Sequence, residues 1–116
     1  MKPDEAIRAL GALAQQSRLT IFRLLVKRGP EGYTPGDLVG QLGLPAPTLS
    51  FHLKELQSAG LVAPQREGRY IYYTADFTRM RSLIDFLTDK CCSLADAECN
   101  ADCTPAASVA VKRKRA

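Results

Sequence analysis

The sequence predicts a mainly α-helical domain with one small β-hairpin, in the order α-α-α-α-β-β-α. Apolar residues recur at helical spacing in five segments, and a stretch rich in Val, Ile, Tyr and Thr turns back on itself around a Glu-Gly pair. The third and fourth helical segments are separated by only a short turn. With 116 residues, the chain has the usual size of one domain, so we expect a single hydrophobic core.

The first two predicted helices are amphipathic. Ile7, Leu10 and Leu13 recur every three residues and predict a helix from about Pro3 to Ala14. A second helix is predicted from about Ser17 to Lys27, and the Gly-Pro-Glu-Gly sequence after it is typical of a turn. The apolar positions of the second helix are Leu19, Ile21, Phe22, Leu24 and Leu25.

The third predicted helix carries start and stop signals. Thr34 can cap it, Pro35 suits the first helical position, and Asp37 places a negative charge in the first turn. The helix is predicted to run to Leu42, because Gly43 is typical of the residue that follows a helix.

The fourth predicted helix follows after a short turn. Leu49, Leu53 and Leu56 lie at i, i+4 and i+7 and therefore define one apolar face. The opposite face is predicted to carry polar residues, His52 among them. The third and fourth segments thus form a helix, a tight turn and a second helix.

A hairpin and a last helix complete the predicted domain. The strands cover about Leu61 to Arg66 and Arg69 to Thr74, with Glu67-Gly68 as a two-residue loop in which glycine supplies the positive φ. Asp76 can cap the last helix. The apolar stripe of that helix comprises Phe77, Met80, Leu83, Ile84 and Leu87, and its period continues to Cys91.

Two short helices followed by a hairpin with arginines at its tip are the organisation of a winged helix-turn-helix. In that fold the second helix of the pair enters the major groove and the hairpin contacts the flanking backbone. Hydroxyl groups can contact bases or phosphates, basic groups can contact phosphates, and an aromatic ring can contact a thymine methyl. The candidate DNA-binding residues are Pro47, Thr48, Ser50, Phe51, His52, Lys54, Arg66 and Arg69. The pattern alone leaves open an ordinary core helix whose outer side is polar.

Three runs of sequence resemble the ArsR/SmtB family of metalloregulatory repressors. They are Thr48 to Val62 in the fourth helix, Ser17 to Leu25 in the second, and Arg66 to Tyr73 in the hairpin. The resemblance implies a homodimer whose first and last helices form the interface, bound to double-stranded operator DNA with an inverted repeat. Family members often carry polar residues at the positions of Ala46 and Pro47. The operator sequence therefore cannot be transferred from the family.

Composition and charge restrict the class of protein. The formal net charge is +4 and the pI is about 9.0, which is compatible with a polyanionic partner, although part of the excess lies in a basic tail from Lys112 to Arg115. No apolar run approaches the roughly 18 residues of a membrane span, so we expect no membrane association. The N-terminus lacks a secretory profile, so we expect a cytoplasmic protein with reduced thiols.

All four cysteines lie between positions 91 and 103, as Cys91, Cys92, Cys99 and Cys103. In a reducing compartment such a cluster indicates metal binding or redox chemistry, and thiolates favour soft ions. Their spacing does not match the paired Cys-x-x-Cys sequences of a structural zinc site. We therefore predict a DNA-binding and dimerisation domain over residues 1–90, an inducer-binding segment over 91–103 and a flexible basic tail over 104–116.

The family resemblance implies a particular inducer for the cysteine segment. Adjacent cysteines after the last helix, with a third cysteine soon after, resemble the pattern of arsenic-responsive repressors that bind As(III), or Sb(III), through three thiolates. This implies Cys91, Cys92 and a third ligand, for which Cys99 is preferred over Cys103. The expected function is repression of an arsenic-resistance operon, relieved by the metalloid, with no cofactor required.

Arsenic sensing is one of several functions that the sequence allows. Thiol oxidation, or a different soft metal such as Cd(II), Pb(II) or Zn(II), could act on the same cysteines. An arsenate reductase or thiol transferase is disfavoured, because no phosphate-binding loop and no acid or base is placed beside the cysteines. A purely structural or partner-binding domain would differ by lacking salt-dependent affinity for duplex DNA.

Overall fold

The computed structural model describes residues 1–94 of the chain. Within that range the helices and strands follow the predicted order and form a winged helix-turn-helix. The helices are α1 (Pro3–Leu13), α2 (Gln16–Arg28), α3 (Pro35–Leu42), α4 (Ala46–Ser58) and α5 (Phe77–Leu87), and the strands are β1 (Val62–Glu67) and β2 (Tyr70–Ala75). A short 3-10 helix, Gly29–Glu31, follows α2. Met1–Phe86 form one compact unit, and the residues from Leu87 onward belong to a second.

The predicted signals at helix ends are confirmed in α3 and α5. Thr34 Oγ1 accepts a hydrogen bond from the backbone N–H of Asp37 at 3.1 Å, and the Asp37 carboxylate accepts one from the backbone N–H of Thr34 at 3.2 Å. Gly43 follows α3 with a φ of +70°. Asp76 Oδ1 accepts from the backbone N–H of Arg79 at 2.9 Å. These contacts satisfy backbone groups that a helix terminus otherwise leaves without partners.

The core of the first unit lies among α1, α2, α3, α4, Leu83 of α5 and the base of the hairpin. Its fully buried large side chains are Ile21, Leu25, Leu38, Leu49, Leu56 and Leu61. Ile21, Leu25, Leu49 and Leu56 lie on the apolar faces predicted for the second and fourth helices. No apolar face was predicted for Leu38, and Leu61 was predicted only as the start of a strand.

The buried face of α1 differs from the predicted one. The helix packs through Ala6, Ala9 and Ala12, whereas Ile7 is 67% exposed and Leu10 is 42% exposed. Alanine side chains allow a helix to approach its neighbours closely, so the smaller residues face inward here. The larger apolar residues of α1 are left on the surface of the protomer.

The loop of the hairpin lies one residue later than predicted. The strands are antiparallel and Glu67 pairs with Tyr70, so the two-residue loop is Gly68-Arg69 rather than Glu67-Gly68. Gly68 has a φ of +63°, and Arg69 is not among the residues with positive φ. A positive φ at the first loop position alone matches the type II′ turn, in which glycine takes that position.

A third segment pairs with the hairpin, which the sequence pattern did not predict. Tyr33 forms an isolated antiparallel bridge with Tyr73, with N···O distances of 3.1 and 2.8 Å. Gly32 makes this approach possible: its φ is +70°, and a Cβ at that position would lie 2.6 Å from the carbonyl oxygen of Tyr73. The base of the hairpin is thereby fixed to the residues immediately before α3.

Candidate nucleic-acid interface and thiol site

Helix α4 has an inner face held by the core and an outer face open to solvent. Leu49, Leu53 and Leu56 are buried on the inner face. The packing of α3 against α4, with Leu38 buried, sets the geometry of the helix pair. Five of the predicted DNA-binding residues lie exposed on α4: Pro47, Thr48, Ser50, Phe51 and Lys54. The outer face therefore offers two hydroxyl groups in the N-terminal half of α4 and one ammonium group further along the helix.

Phe51 is the unusual member of this outer face. Its ring is 55% exposed, although an aromatic side chain gains most free energy when it is buried. Contact with an apolar group such as a thymine methyl would bury part of the ring. The exposure of Phe51 is therefore compatible with the groove contact suggested by the sequence.

The structure corrects the predicted position of His52. The side chain is buried, with 8% of the residue exposed, and its Nδ1 lies 3.5 Å from Nη1 of Arg18 on α2. The helical period explains the difference, because position 52 is three residues after Leu49 and four before Leu56, on the same inner face. His52 is thus directed toward the protein interior, and we remove it from the set of residues that contact DNA.

The two predicted basic residues of the hairpin lie at its exposed end. Arg66 is in β1 and Arg69 is in the two-residue loop, and both are exposed. Within residues 1–94, neither guanidinium forms an ion pair with a carboxylate. Both charges are therefore available to a phosphate backbone.

The adjacent cysteines lie beyond α5 and not on the continuation of its helical period. The helix ends at Leu87, and residues 88–94 form turns in which the Cys91 N–H donates to the carbonyl of Thr88 at 3.0 Å. Cys92 adopts a positive φ of 65°, which a regular helix does not contain. The predicted extension of the apolar stripe to Cys91 is therefore wrong.

The turn brings the two thiols into contact. Cys91 Sγ and Cys92 Sγ are 3.3 Å apart, and both residues are exposed. The hydrogen bond with Cys91 raises the pKa of the Cys92 thiol, and desolvation adds to the shift. Two soft donors at this distance are available to a single thiophilic atom.

Cys99 and Cys103, the rival candidates for a third thiolate, lie outside the described residues, as does the basic tail from Lys112 to Arg115. Within residues 1–94, no three His, Cys, Asp or Glu side chains form a group that could hold a metal ion. The described part of the chain therefore supplies two of the three predicted thiolates. In the same part, none of the helices is both long enough and apolar enough to span a bilayer.

Comparison with known proteins agrees with this geometry. A helix-turn-helix domain family model matches residues 13–65. The transcriptional activator HlyU of Vibrio cholerae is 31% identical over 83 residues, which cover 72% of this chain and 74% of HlyU. Among solved structures, an ArsR-like transcriptional regulator from Rhodococcus sp. RHA1 has a TM-score of 0.66 and 26% identity, and the match covers 72% of this chain and 76% of that one.

The chain belongs to the ArsR family. A solved domain from Mycobacterium bovis, described as a homodimeric winged helix-turn-helix DNA-binding domain of a possible ArsR-family regulator, has a TM-score of 0.59 and 29% identity over 83% of this chain and 89% of its own. The relatives of this ArsR-family chain are transcriptional regulators rather than enzymes. The chain is thus a helix-turn-helix transcriptional regulator, and the exposed face of α4 and the basic end of the hairpin are its candidate DNA-binding elements.

Proposed function

We propose that this chain is a homodimeric repressor that binds an inverted-repeat operator and is released when As(III), or Sb(III), is captured by cysteine thiolates. The observation that carries the inducer half of the proposal is the 3.3 Å contact between the exposed thiols of Cys91 and Cys92. The regulated genes would form an arsenic-resistance operon.

DNA binding in this proposal is carried out by α4 and the hairpin. The hydroxyls of Thr48 and Ser50 and the ring of Phe51 meet base edges in the major groove, while Lys54 contacts phosphate. Arg66 and Arg69 contact the backbone that flanks the groove. The exposure of all these side chains supports the assignment.

The dimer interface in this proposal is formed by α1 and α5. Ile7 and Leu10 of α1 and Phe77 of α5 are exposed large apolar residues. The two helices are neighbours, because Arg79 Nη1 of α5 lies 3.8 Å from Glu5 Oε2 of α1. Contact with a second copy would bury these residues, as the homodimeric relative from Mycobacterium bovis suggests. Two reading helices about one DNA turn, roughly 34 Å, apart would then require an inverted repeat.

Capture of As(III) is an exchange of ligands on the arsenic atom. Arsenous acid, As(OH)₃, exchanges its three hydroxyl groups for three thiols, which forms three As–S bonds and releases three waters. Cys91 and Cys92 supply two thiols, and Cys99 is preferred to Cys103 for the third. Thiolate donors favour such a thiophilic atom over hard cations.

The thiols can regulate DNA binding because they lie four and five residues after the end of α5, a helix assigned to the dimer interface. Metalloid binding at Cys91 and Cys92 would alter the end of α5 and hence the separation of the two reading helices. A coupling free energy of about 1–3 kcal/mol between two sites weakens binding about 5- to 150-fold. Weakening of that size is sufficient to relieve repression.

A gel-shift titration tests the proposal. The probe is the duplex upstream of the chain's own coding sequence, and a shuffled duplex of the same length serves as the reference for non-specific binding. We expect As(III) to release the wild type from the promoter duplex but not Cys92→Ser. Ser93→Ala, which changes the adjacent residue and keeps both thiols, is the matched control and should respond like the wild type. Unchanged binding in all three proteins on addition of As(III) would contradict the sensing proposal.

The contact between the two thiols also favours a second candidate signal. Removal of two electrons and two protons by a peroxide oxidant would join adjacent sulfurs that are already 3.3 Å apart. A panel of As(III), Sb(III), Cd(II), Pb(II), Zn(II) and hydrogen peroxide in the same assay separates the candidates. Release by peroxide alone would assign the site to oxidation, and release by a divalent ion alone would assign it to another soft metal.

A further inference from the structure

Arg18 lies partly buried where α1, α2 and α4 meet. Its Nε donates a hydrogen bond to the carbonyl oxygen of Ala12 at 2.7 Å, and its Nη1 lies 3.5 Å from Nδ1 of His52. A guanidinium group has only donors, so Nδ1 of His52 is the acceptor in this contact. One side chain therefore joins the last turn of α1 to the inner face of α4.

The contact with Ala12 satisfies a particular need of α1. The last four carbonyl groups of a helix have no partner within the helix, and Ala12 is one residue from the end of α1 at Leu13. The last turn of α1 contains no basic residue of its own. Arg18 supplies both the missing donor and a positive charge at the negative end of the helix dipole.

The contact with His52 acts on the helix that carries the DNA-binding face. His52 is adjacent in sequence to Phe51, which is exposed on the outer face, and the two ring centroids are 5.7 Å apart. Rotation of α4 about its axis would move both rings together. An interaction that fixes His52 therefore also fixes the direction in which Phe51 points.

A second arginine connects α1 to the C-terminal end of α4. Nη2 of Arg8 on α1 lies 3.4 Å from the carbonyl oxygen and 3.2 Å from Oγ of Ser58. This contact is exposed, whereas the Arg18 contacts are partly buried. Because water competes less at a partly buried site, Arg18 is the stronger of the two connections.

We propose that Arg18 is a positioning residue for operator recognition, which sets the orientation of α4 relative to α1 through His52 without touching DNA. The inference rests on the proposed function, in which α1 lies at the dimer interface and α4 reads the operator. Arginine is required because its planar fork holds two acceptors in fixed directions, which the single ammonium group of lysine does not do.

The test compares variants of the pair in the full chain, with the promoter duplex as the specific probe and the shuffled duplex as the non-specific probe. Arg18→Met and His52→Leu each remove one partner and keep most of the side-chain volume. His52→Asn retains an acceptor close to the position of Nδ1. Arg23→Met removes an exposed arginine from the same helix and is the control for loss of charge.

We expect Arg18→Met and His52→Leu each to weaken promoter binding about tenfold, which corresponds to about 1.4 kcal/mol. Affinity for the shuffled duplex and the salt dependence should remain those of the wild type. His52→Asn should retain most of the promoter affinity, and the double variant Arg18→Met/His52→Leu should lose little more than either single variant, since coupled residues are not additive. Arg23→Met should not show promoter-specific loss.

Other outcomes would overturn the inference. If Arg18→Met lowers the salt slope by about one unit and weakens both duplexes equally, Arg18 is a phosphate contact instead. If the wild type shows no preference for the promoter duplex, the proposed function itself fails, whereas a wild-type preference that the variants keep refutes only the role of Arg18. Should Arg18→Met fail to fold, the comparison of His52→Leu with His52→Asn decides, because a packing role alone would not be rescued by asparagine.

Nuclear magnetic resonance of the imidazole nitrogens gives a readout that does not involve DNA. In the wild type, Nδ1 of His52 should be an unprotonated hydrogen-bond acceptor. In Arg18→Met, loss of the donor should shift the Nδ1 resonance or introduce the other tautomer, while Arg23→Met should leave it unchanged. An unaltered Nδ1 resonance in folded Arg18→Met would contradict the hydrogen bond on which the inference depends.

Discussion

The outer face of α4 and the turn that carries Cys91 and Cys92 are both exposed, but they are built differently. The side chains of α4 project from a helix whose opposite face is buried among leucines far apart in sequence. Residues 88–94 are held by short-range backbone hydrogen bonds, such as that from Ser93 N–H to the Lys90 carbonyl at 3.0 Å, and Leu94 is 98% exposed.

The difference fits the two roles in the proposed function, which are DNA recognition by the rigid face of α4 and inducer capture by the adaptable turn. DNA recognition needs several side chains held in a fixed relation, which long-range packing provides. Capture of an inducer needs thiols that can rearrange around a bound atom, and a turn with local contacts permits this. Substitutions in the two regions should therefore affect different properties.

A leucine-to-alanine substitution should lower the free energy of unfolding much more in α4 than in the turn, and this is the largest difference that we expect. Leu56→Ala removes a fully buried side chain from the inner face of α4, so the free energy of unfolding should fall by about 2–5 kcal/mol. Leu94→Ala changes an exposed side chain and should stay within about 0.5 kcal/mol of the wild type. Urea denaturation followed by circular dichroism measures both.

Equal losses in Leu56→Ala and Leu94→Ala would contradict the comparison, because they would require residues 88–94 to belong to the same cooperative core. The denaturant slope should be unchanged in Leu94→Ala, which checks that the unfolding transition is the same one.

A smaller effect on stability is expected when glycine is replaced by alanine beside the hairpin or at an open position in a helix. Gly32→Ala would place a methyl group 2.6 Å from the carbonyl oxygen of Tyr73 at a residue whose φ is +70°, so it should destabilise the fold by about 1–3 kcal/mol. Gly40→Ala lies within α3, where nothing is within 4 Å of the added Cβ, and should stabilise the fold by about 0.5–1 kcal/mol. Thermal unfolding should thus shift in opposite directions, and shifts of the same sign would argue against the close approach at Gly32.

The sequence predicts those structural features that depend on residues close together in the chain. The caps at Thr34 and Asp76 depend on residues within three positions, and the inner face of α4 follows from the period of its leucines. The bridge between Tyr33 and Tyr73 joins residues far apart in sequence. The spacing of apolar residues around Tyr33 and around Tyr73 does not indicate that the two residues pair, so the bridge could be found only in the folded structure.

The candidate site was predicted in outline, and its errors have physical explanations. His52 was assigned to the outer face because of its polarity, although its spacing from Leu49 and Leu56 indicates the inner face. Burial became possible because Arg18 supplies a hydrogen-bond partner from a different helix. The contact between Cys91 and Cys92 depends on a positive φ after the end of α5, which the helical period of α5 could not predict.

The smallest expected effect concerns the reactivity of the thiols in the turn. The hydrogen bond with Cys91 raises the pKa of the Cys92 thiol, so less thiolate is present at a given pH below that pKa, and the thiolate is the nucleophile. Cys91→Ala removes the hydrogen bond and should lower the pKa of Cys92, so iodoacetamide should react faster. The measurement is the pH profile of the alkylation rate, by mass spectrometry, in a Cys99→Ser/Cys103→Ser background with Ser93→Ala as the control. The midpoint for Cys92 should move to lower pH in Cys91→Ala and stay in place in the control. A midpoint that stays in place in Cys91→Ala would mean that the two thiols do not interact in solution, and the turn would then not present them as a pair.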